Sequence, residues 1–159
     1  MIAAVFDCMV FLQAATNDRG PAFACLELAE KHQIILHVSP VILAEVRDVL
    51  TRPRIQAKFP HLTPGRIDVF LQKVASLSVL TDAVLDVGFM IRDANDLPYL
   101  NLAVARGAEY LVSRDNDLLD LMNDPSFISQ FPQMQIVDPI AFLTRVRDTE
   151  NSSQPEVDS

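Results

Sequence analysis

Five short, mostly apolar runs punctuate the chain: Ile2–Phe6, Ile34–Val38, Ser78–Leu80, Ala108–Val112 and Met134–Val137. Between them lie longer segments whose apolar residues recur at helical spacing. This alternation limits the fold more than any other feature, because strand–helix–strand units build a parallel sheet covered by helices. Ile2–Phe6 carries no polar residue, as a strand buried on both faces requires. Ser39-Pro40 and Thr63-Pro64 each set a capping residue before a proline. They start helices expected to run to about Leu50 and Leu77. Pro21–His32, a segment from Leu97 that stops at Gly107, and Pro139–Val146 read as further helices. Arg52–Pro60, bounded by prolines, reads as a turn between helices, and Leu118–Met122 as one helical turn. The expected architecture is α/β, a Rossmann-like parallel sheet with helices on both faces. Residues 1–147 form one domain, and residues 148–159, with four acids and almost nothing apolar, are expected to be a disordered acidic tail.

A chain of 159 residues, half of them hydrophobic, can bury a core without staples. No apolar run is long enough to span a bilayer, and the first residues lack the basic and long apolar regions of a signal peptide. A cytoplasmic protein away from membranes is expected. Cys8 and Cys25 are too few for a disulfide framework and have no zinc-motif spacing; His32, His37 and His61 lack ligand spacing too. Neither a glycine-rich phosphate loop nor a GxSxG elbow occurs. The net charge of −8 opposes binding to a polyanion. Residues 47–73 run against it, with six basic residues and two acids. Within them, Arg47, Arg52, Arg54 and Lys58 are candidates for a sequence-independent phosphate contact.

The carboxyl ends of parallel strands share one edge of the sheet, where open α/β sheets place their sites. Acids recur there. Asp7 ends the first run, Glu45 lies in the helix after the second, Asp96 begins the helix before the fourth, and Asp115 follows the fourth by three residues. Each has an ordinary use: Asp7, Asp96 and Asp115 as caps, Glu45 as a helix-surface residue. Together, four carboxylates in one cleft repel each other and call for a cation. Hard oxygen ligands suit Mg²⁺ or Mn²⁺, ions that activate water and offset charge building on a phosphate. A phosphoacceptor receiver domain also gathers acids at strand ends, but it needs a late lysine. Here Met134–Val137 is followed by Asp138-Pro139.

Four segments resemble the PIN-domain family: Val5-Phe6-Asp7, Ser39 through Val46, Arg92-Asp93-Ala94-Asn95-Asp96, and Tyr110 through Asp115. The resemblance covers about residues 1–145 and is nearest to the VapC-like toxins of bacterial toxin–antitoxin pairs. It implies a metal-dependent endoribonuclease that hydrolyses RNA phosphodiester bonds with Mg²⁺ or Mn²⁺. It maps the family's catalytic and metal-binding acids onto Asp7, Glu45, Asp96 and Asp115, with Asp117 as a further metal ligand. Ser113 matches the small hydroxyl residue before the last acid, a substrate contact in this reading. An antitoxin partner and a homodimer are implied as well. One position departs from the pattern: Met9 stands where the family usually has Asn, and Met is at best a weak acceptor. The alternative reading is therefore a catalytically weakened PIN-like module that binds RNA or protein.

Overall fold

The structure, a computed structural model, describes residues 1–153. In chain order the elements are β1 (Ala3–Phe6), α1 (Cys8–Thr16), α2 (Pro21–Glu30), β2 (Ile35–Val38), α3 (Pro40–Leu50), α4 (Pro53–Lys58), α5 (Pro64–Leu77), β3 (Ser78–Leu80), α6 (Leu97–Arg106), β4 (Tyr110–Val112), α7 (Asn116–Leu119), α8 (Pro125–Gln130), β5 (Gln135–Val137) and α9 (Pro139–Ser153). A 3-10 turn, Ala94–Asp96, leads into α6. The five strands form one parallel sheet in the order β3-β2-β1-β4-β5. The chain works outward from β1 to β3, then crosses back to β4 and β5. Right-handed crossovers therefore send the helices of the two halves to opposite faces. The direction reverses between β1 and β4, so a crevice opens beyond their carboxyl ends.

The expected strands are all present, within two residues at their ends. The helices at Pro40, Pro64 and Pro139 start on prolines, whose missing N–H costs nothing in a first turn. The Ser39 and Thr63 hydroxyls accept from the amides of Ile42 and Arg66, as their sequence positions suggested. Gly107 ends α6 in the left-handed region, φ +60°. One side of the sheet is tied to its helices by aromatic edges. Phe6 of β1 lies 5.8 Å from Phe11 of α1 and 5.9 Å from Phe142 of α9, and Phe142 lies 5.4 Å from Tyr110 of β4. Phe6, Phe11 and Phe142 are essentially inaccessible, so truncating one of them to Ala should cost about 3–5 kcal/mol.

Four segments differ from expectation, one of them Pro125–Gln130, a short helix that the sequence reading left unassigned. Cys8–Thr16, unassigned in the sequence reading, is a helix, and Pro53–Lys58, expected as a turn, makes one and a half helical turns. The last helix extends to Ser153, so residues 148–153 are helical rather than part of a disordered tail. Hydrogen bonds from Thr149 to the Arg145 carbonyl and from Ser152 to the Asp148 carbonyl fasten this extension along its own axis. The remaining tail residues, 154–159, lie outside the described residues. Among the described residues no helix is long and apolar enough to cross a membrane.

Candidate active site

A cleft of about 700 Å³ opens beyond β1 and β4. Asp7, Glu45, Asp96 and Asp115 all stand on its wall, brought there from four elements. Asp7 follows β1 directly and caps α1, one oxygen accepting from the Val10 amide at 3.0 Å. Its other oxygen accepts from the Ser113 hydroxyl. Asp7 is 4 % exposed, and burial pushes its carboxyl up to about 6 against the pull of these hydrogen bonds. Asp96 is also buried, and its carboxyl is pushed up to about 7 by burial and then by Asp115, Asp93 and Asp7. Its side chain caps nothing, unlike the ordinary use the sequence allowed. The cap of the 3-10 turn comes instead from Asp93, which accepts from the Asn95 amide at 2.9 Å. Asp115 serves twice: it lines the cleft and caps α7, accepting from the Asp117 amide at 2.8 Å.

Among the described residues the tightest acidic group is Asp96, Asp115 and Asp117, each offering an oxygen within 4.8 Å of the others. Asp117, the least regular acid of the sequence reading, is thus inside the cluster. Glu45 is not part of it. Its carboxylate accepts from the Tyr99 hydroxyl at 2.8 Å, on the same cleft wall. Tyr99 is 2 % exposed and went unnoticed in the sequence, where a tyrosine at helical spacing reads as core. The donor set is all carboxylate oxygen, gathered closely and partly buried, which fits a hard divalent cation such as Mg²⁺ or Mn²⁺. Cys8 also reaches the cleft, but burial and the nearby Glu45 and Asp7 push its thiol up to about 12, so it is no nucleophile.

Ser113, expected as a substrate contact, is fully buried and bonded within the protein. Its hydroxyl donates to Asp7 and accepts from the Asp115 amide at 2.9 Å, so it fixes two acids at once. The basic candidates divide. Arg52, Arg54 and Lys58 line the cleft on and beside α4. Arg47 does not; it pairs with Asp68 of α5 at 2.6 Å. Arg52 reaches Asp48 at 3.0 Å, and Arg92, from the loop before α6, reaches Asp117 at 3.2 Å. Met9 is 43 % exposed and faces the same cleft from the first turn of α1.

The chain has relatives that share this framework. It is 26% identical over 127 residues to the uncharacterized protein MJ1680 of Methanocaldococcus jannaschii, covering 80% of this chain and 79% of that protein. The crystal structure of PAE2754 from Pyrobaculum aerophilum superposes with a TM-score of 0.56 over 92% of this chain and 90% of that one, at 16% identity. The crystal structure of VapBC2 from Rickettsia felis, bound to a DNA fragment from their promoter, gives a TM-score of 0.54 at 16% identity. It covers 86% of this chain and 98% of that one. The sequence profile of the PIN domain matches residues 3–117, a span that contains every acid of the cleft. The chain belongs to the PIN domain family.

Proposed function

We propose that the protein is a Mg²⁺- or Mn²⁺-dependent endoribonuclease, the toxin of a toxin–antitoxin pair. The observation that carries this reading is the convergence of Asp96, Asp115 and Asp117, with Asp7 beside them, at the point where the sheet reverses direction. Buried and close-set carboxylates destabilise an apoprotein, and a binder of polyanions has no use for them unless a cation is held there. Asp7, Asp96, Asp115 and Asp117 would hold the ion, which supplies an activated water and offsets charge on the phosphate. Ser113 holds Asp7 and Asp115 in place, and Tyr99 holds Glu45. Glu45, left outside the tight group, would orient water or accept a proton. Arg52, Arg54 and Lys58 would take phosphates flanking the cut. Likeness to a VapBC complex supports an antitoxin partner, and a homodimer and a cytoplasmic location fit the same reading.

The test is cleavage of labelled single-stranded RNA in Mn²⁺, with EDTA as blank. Asp96→Asn is nearly isosteric and breaks no cap, so it should fold normally and cut at least roughly a hundredfold more slowly. Cleavage in EDTA, or equal cleavage by the variant, refutes the carboxylate–metal mechanism. The second reading, a module that binds without cutting, is favoured by Met9, whose exposed thioether stands where a polar group would serve the site. RNA binding without cleavage by the wild type, with cleavage gained in Met9→Asn, would establish that second reading.

A further inference from the structure

A second cavity of about 330 Å³ adjoins the cleft. Gln13, Thr16 and Phe59 line both, so they form the wall between them. An extended ligand that leaves the carboxylates in this direction must cross Phe59. This residue closes α4 and is only half-buried, one part of its ring against the core. Lys58 Nζ lies 5.4 Å from the ring centroid, and the His61 ring meets it edge-on at 6.2 Å. Beyond the wall the second cavity is lined by Asn17, Gly20, Pro21, Ala22 and Arg114. A Cβ at Gly20 would come within 2.8 Å of Asn17 Nδ2, so glycine there leaves that amide where it is.

The charges around this wall run against the rest of an acidic chain. Arg54 and Lys58, four residues apart on α4, have no carboxylate partner among the described residues. Arg114 is exposed and donates to the neutral Gln13 side chain at 3.0 Å, with no ion pair among the described residues. Cations without a carboxylate partner among the described residues therefore stand on both sides of a partly exposed aromatic ring, with Lys58 lying over it. The cavity behind the ring offers amides from Gln13 and Asn17, whose oxygens accept from Arg114 and the Arg19 amide and whose NH₂ groups can donate to a base edge. Cations that follow a phosphate backbone, a ring on which a base can stack, and amides that match base edges are the elements of single-stranded nucleic acid binding.

We propose that the second cavity is a nucleobase subsite for a single-stranded RNA. In it one base stacks on Phe59, the phosphate on the cleft side is held by Arg54 and Lys58, and the phosphate beyond is held by Arg114. The subsite rests on the ribonuclease reading and extends it, because it gives the cleft a direction: the strand runs from the carboxylates over Phe59 toward α2.

The experiment measures binding of fluorescein-labelled oligoribonucleotides by anisotropy, using full-length Asp96→Asn in Mn²⁺ to suppress cutting. A trinucleotide serves as the short probe for the cleft, and an octanucleotide as one long enough to cross Phe59. Phe59→Leu should weaken octanucleotide binding by roughly tenfold, the scale of one lost base stack, and trinucleotide binding by much less. Phe59→Tyr should bind like the parent, and Arg114→Gln should lose several-fold on the octanucleotide only. Thermal melts check that each variant is folded, and Arg114→Gln, an exposed change, tests the subsite even if Phe59→Leu does not fold. Equal octanucleotide affinity in folded Phe59→Leu or in Arg114→Gln overturns the subsite, and wild-type RNA cleavage then leaves the nuclease reading standing. Failure of the parent to bind either oligonucleotide, together with no cleavage by the wild type, overturns both. Octanucleotide binding that is displaced by polyglutamate with no loss in Phe59→Leu assigns the cations to an acidic protein partner and overturns the base subsite.

Discussion

The Ser113 hydroxyl is shared between the Asp7 carboxylate, to which it donates, and the Asp115 amide, from which it accepts. Its hydrogen bond is the largest influence holding the Asp7 carboxyl down against burial. Ser113→Ala should therefore raise Asp7 above about 6 and move the acid limb of the pH–activity profile upward. It also strands the Asp115 amide, a loss of about 1–3 kcal/mol for a buried group left unpaired. A purely structural role would lower the melting temperature and leave the pH profile where it was, so the two readouts together decide. Asp7 and Asp115 could be placed at the sheet edge from the sequence because each closes or follows an apolar run, and Glu45 and Asp96 because each stands in or at the start of a helix beside such a run. The use of Ser113 was not, since a serine before an aspartate carries no sign of whether its hydroxyl faces substrate or is buried. Tyr99 was hidden for a similar reason: its ring is packed like any core residue, and only its hydroxyl, set 2.8 Å from Glu45, belongs to the site.

Most elements with sharp ends were read correctly, although α8 was missed despite the Asp124-Pro125 start that resembles those of α3 and α5. The strands stood out as apolar runs, and α3, α5 and α6 announced themselves through Ser39-Pro40, Thr63-Pro64 and Gly107. α1 has no amphipathic stripe to read, because Cys8, Val10, Phe11, Leu12 and Ala14 are all buried, and it follows β1 with Asp7 alone between them. α4 is too short for periodicity to separate it from a turn. The two kinds of helix end make a paired prediction. Gly107 takes φ +60° with open space around it, so alanine there meets backbone strain alone and should cost about 1 kcal/mol. Gly65 sits in the first turn of α5, also with open space but in ordinary helical backbone. Alanine there should gain about 0.4–1 kcal/mol by narrowing the unfolded ensemble. Urea denaturation of the two variants should give shifts of opposite sign, and a shared sign would show that the α6 terminus does not need the left-handed conformation.

Across the whole molecule, an acidic chain concentrates further negative charge in one cleft, and Arg54, Lys58 and Arg114 stand along its rim without a carboxylate partner among the described residues. Such a distribution is costly without a counter-ion, and the cost depends on pH. Asp7 and Asp96 keep their protons in the folded state to about 6 and about 7, against 3.8 for the ordinary carboxyl. The folded protein therefore binds more protons than the unfolded chain between those limits, and stability falls as pH rises from about 4 through 7. His37 acts in the opposite sense, since burial lowers its pKa below 6.5 and acid destabilises the fold through it. A difference measurement removes that contribution. In EDTA, wild type should lose more stability than Asp96→Asn between pH 5 and pH 8, because the variant lacks the higher of the two carboxyls. Adding Mn²⁺ at pH 8 should restore the wild type, by about 2.7 kcal/mol at a hundred times the dissociation constant, and the variant much less. Thermal melts at both pH values, with and without the ion, read all four states. Parallel losses in the two proteins would mean that Asp96 is not forced to hold a proton. Equal rescue by Mn²⁺ would mean that the ion is held elsewhere than in the cleft where β1 and β4 part.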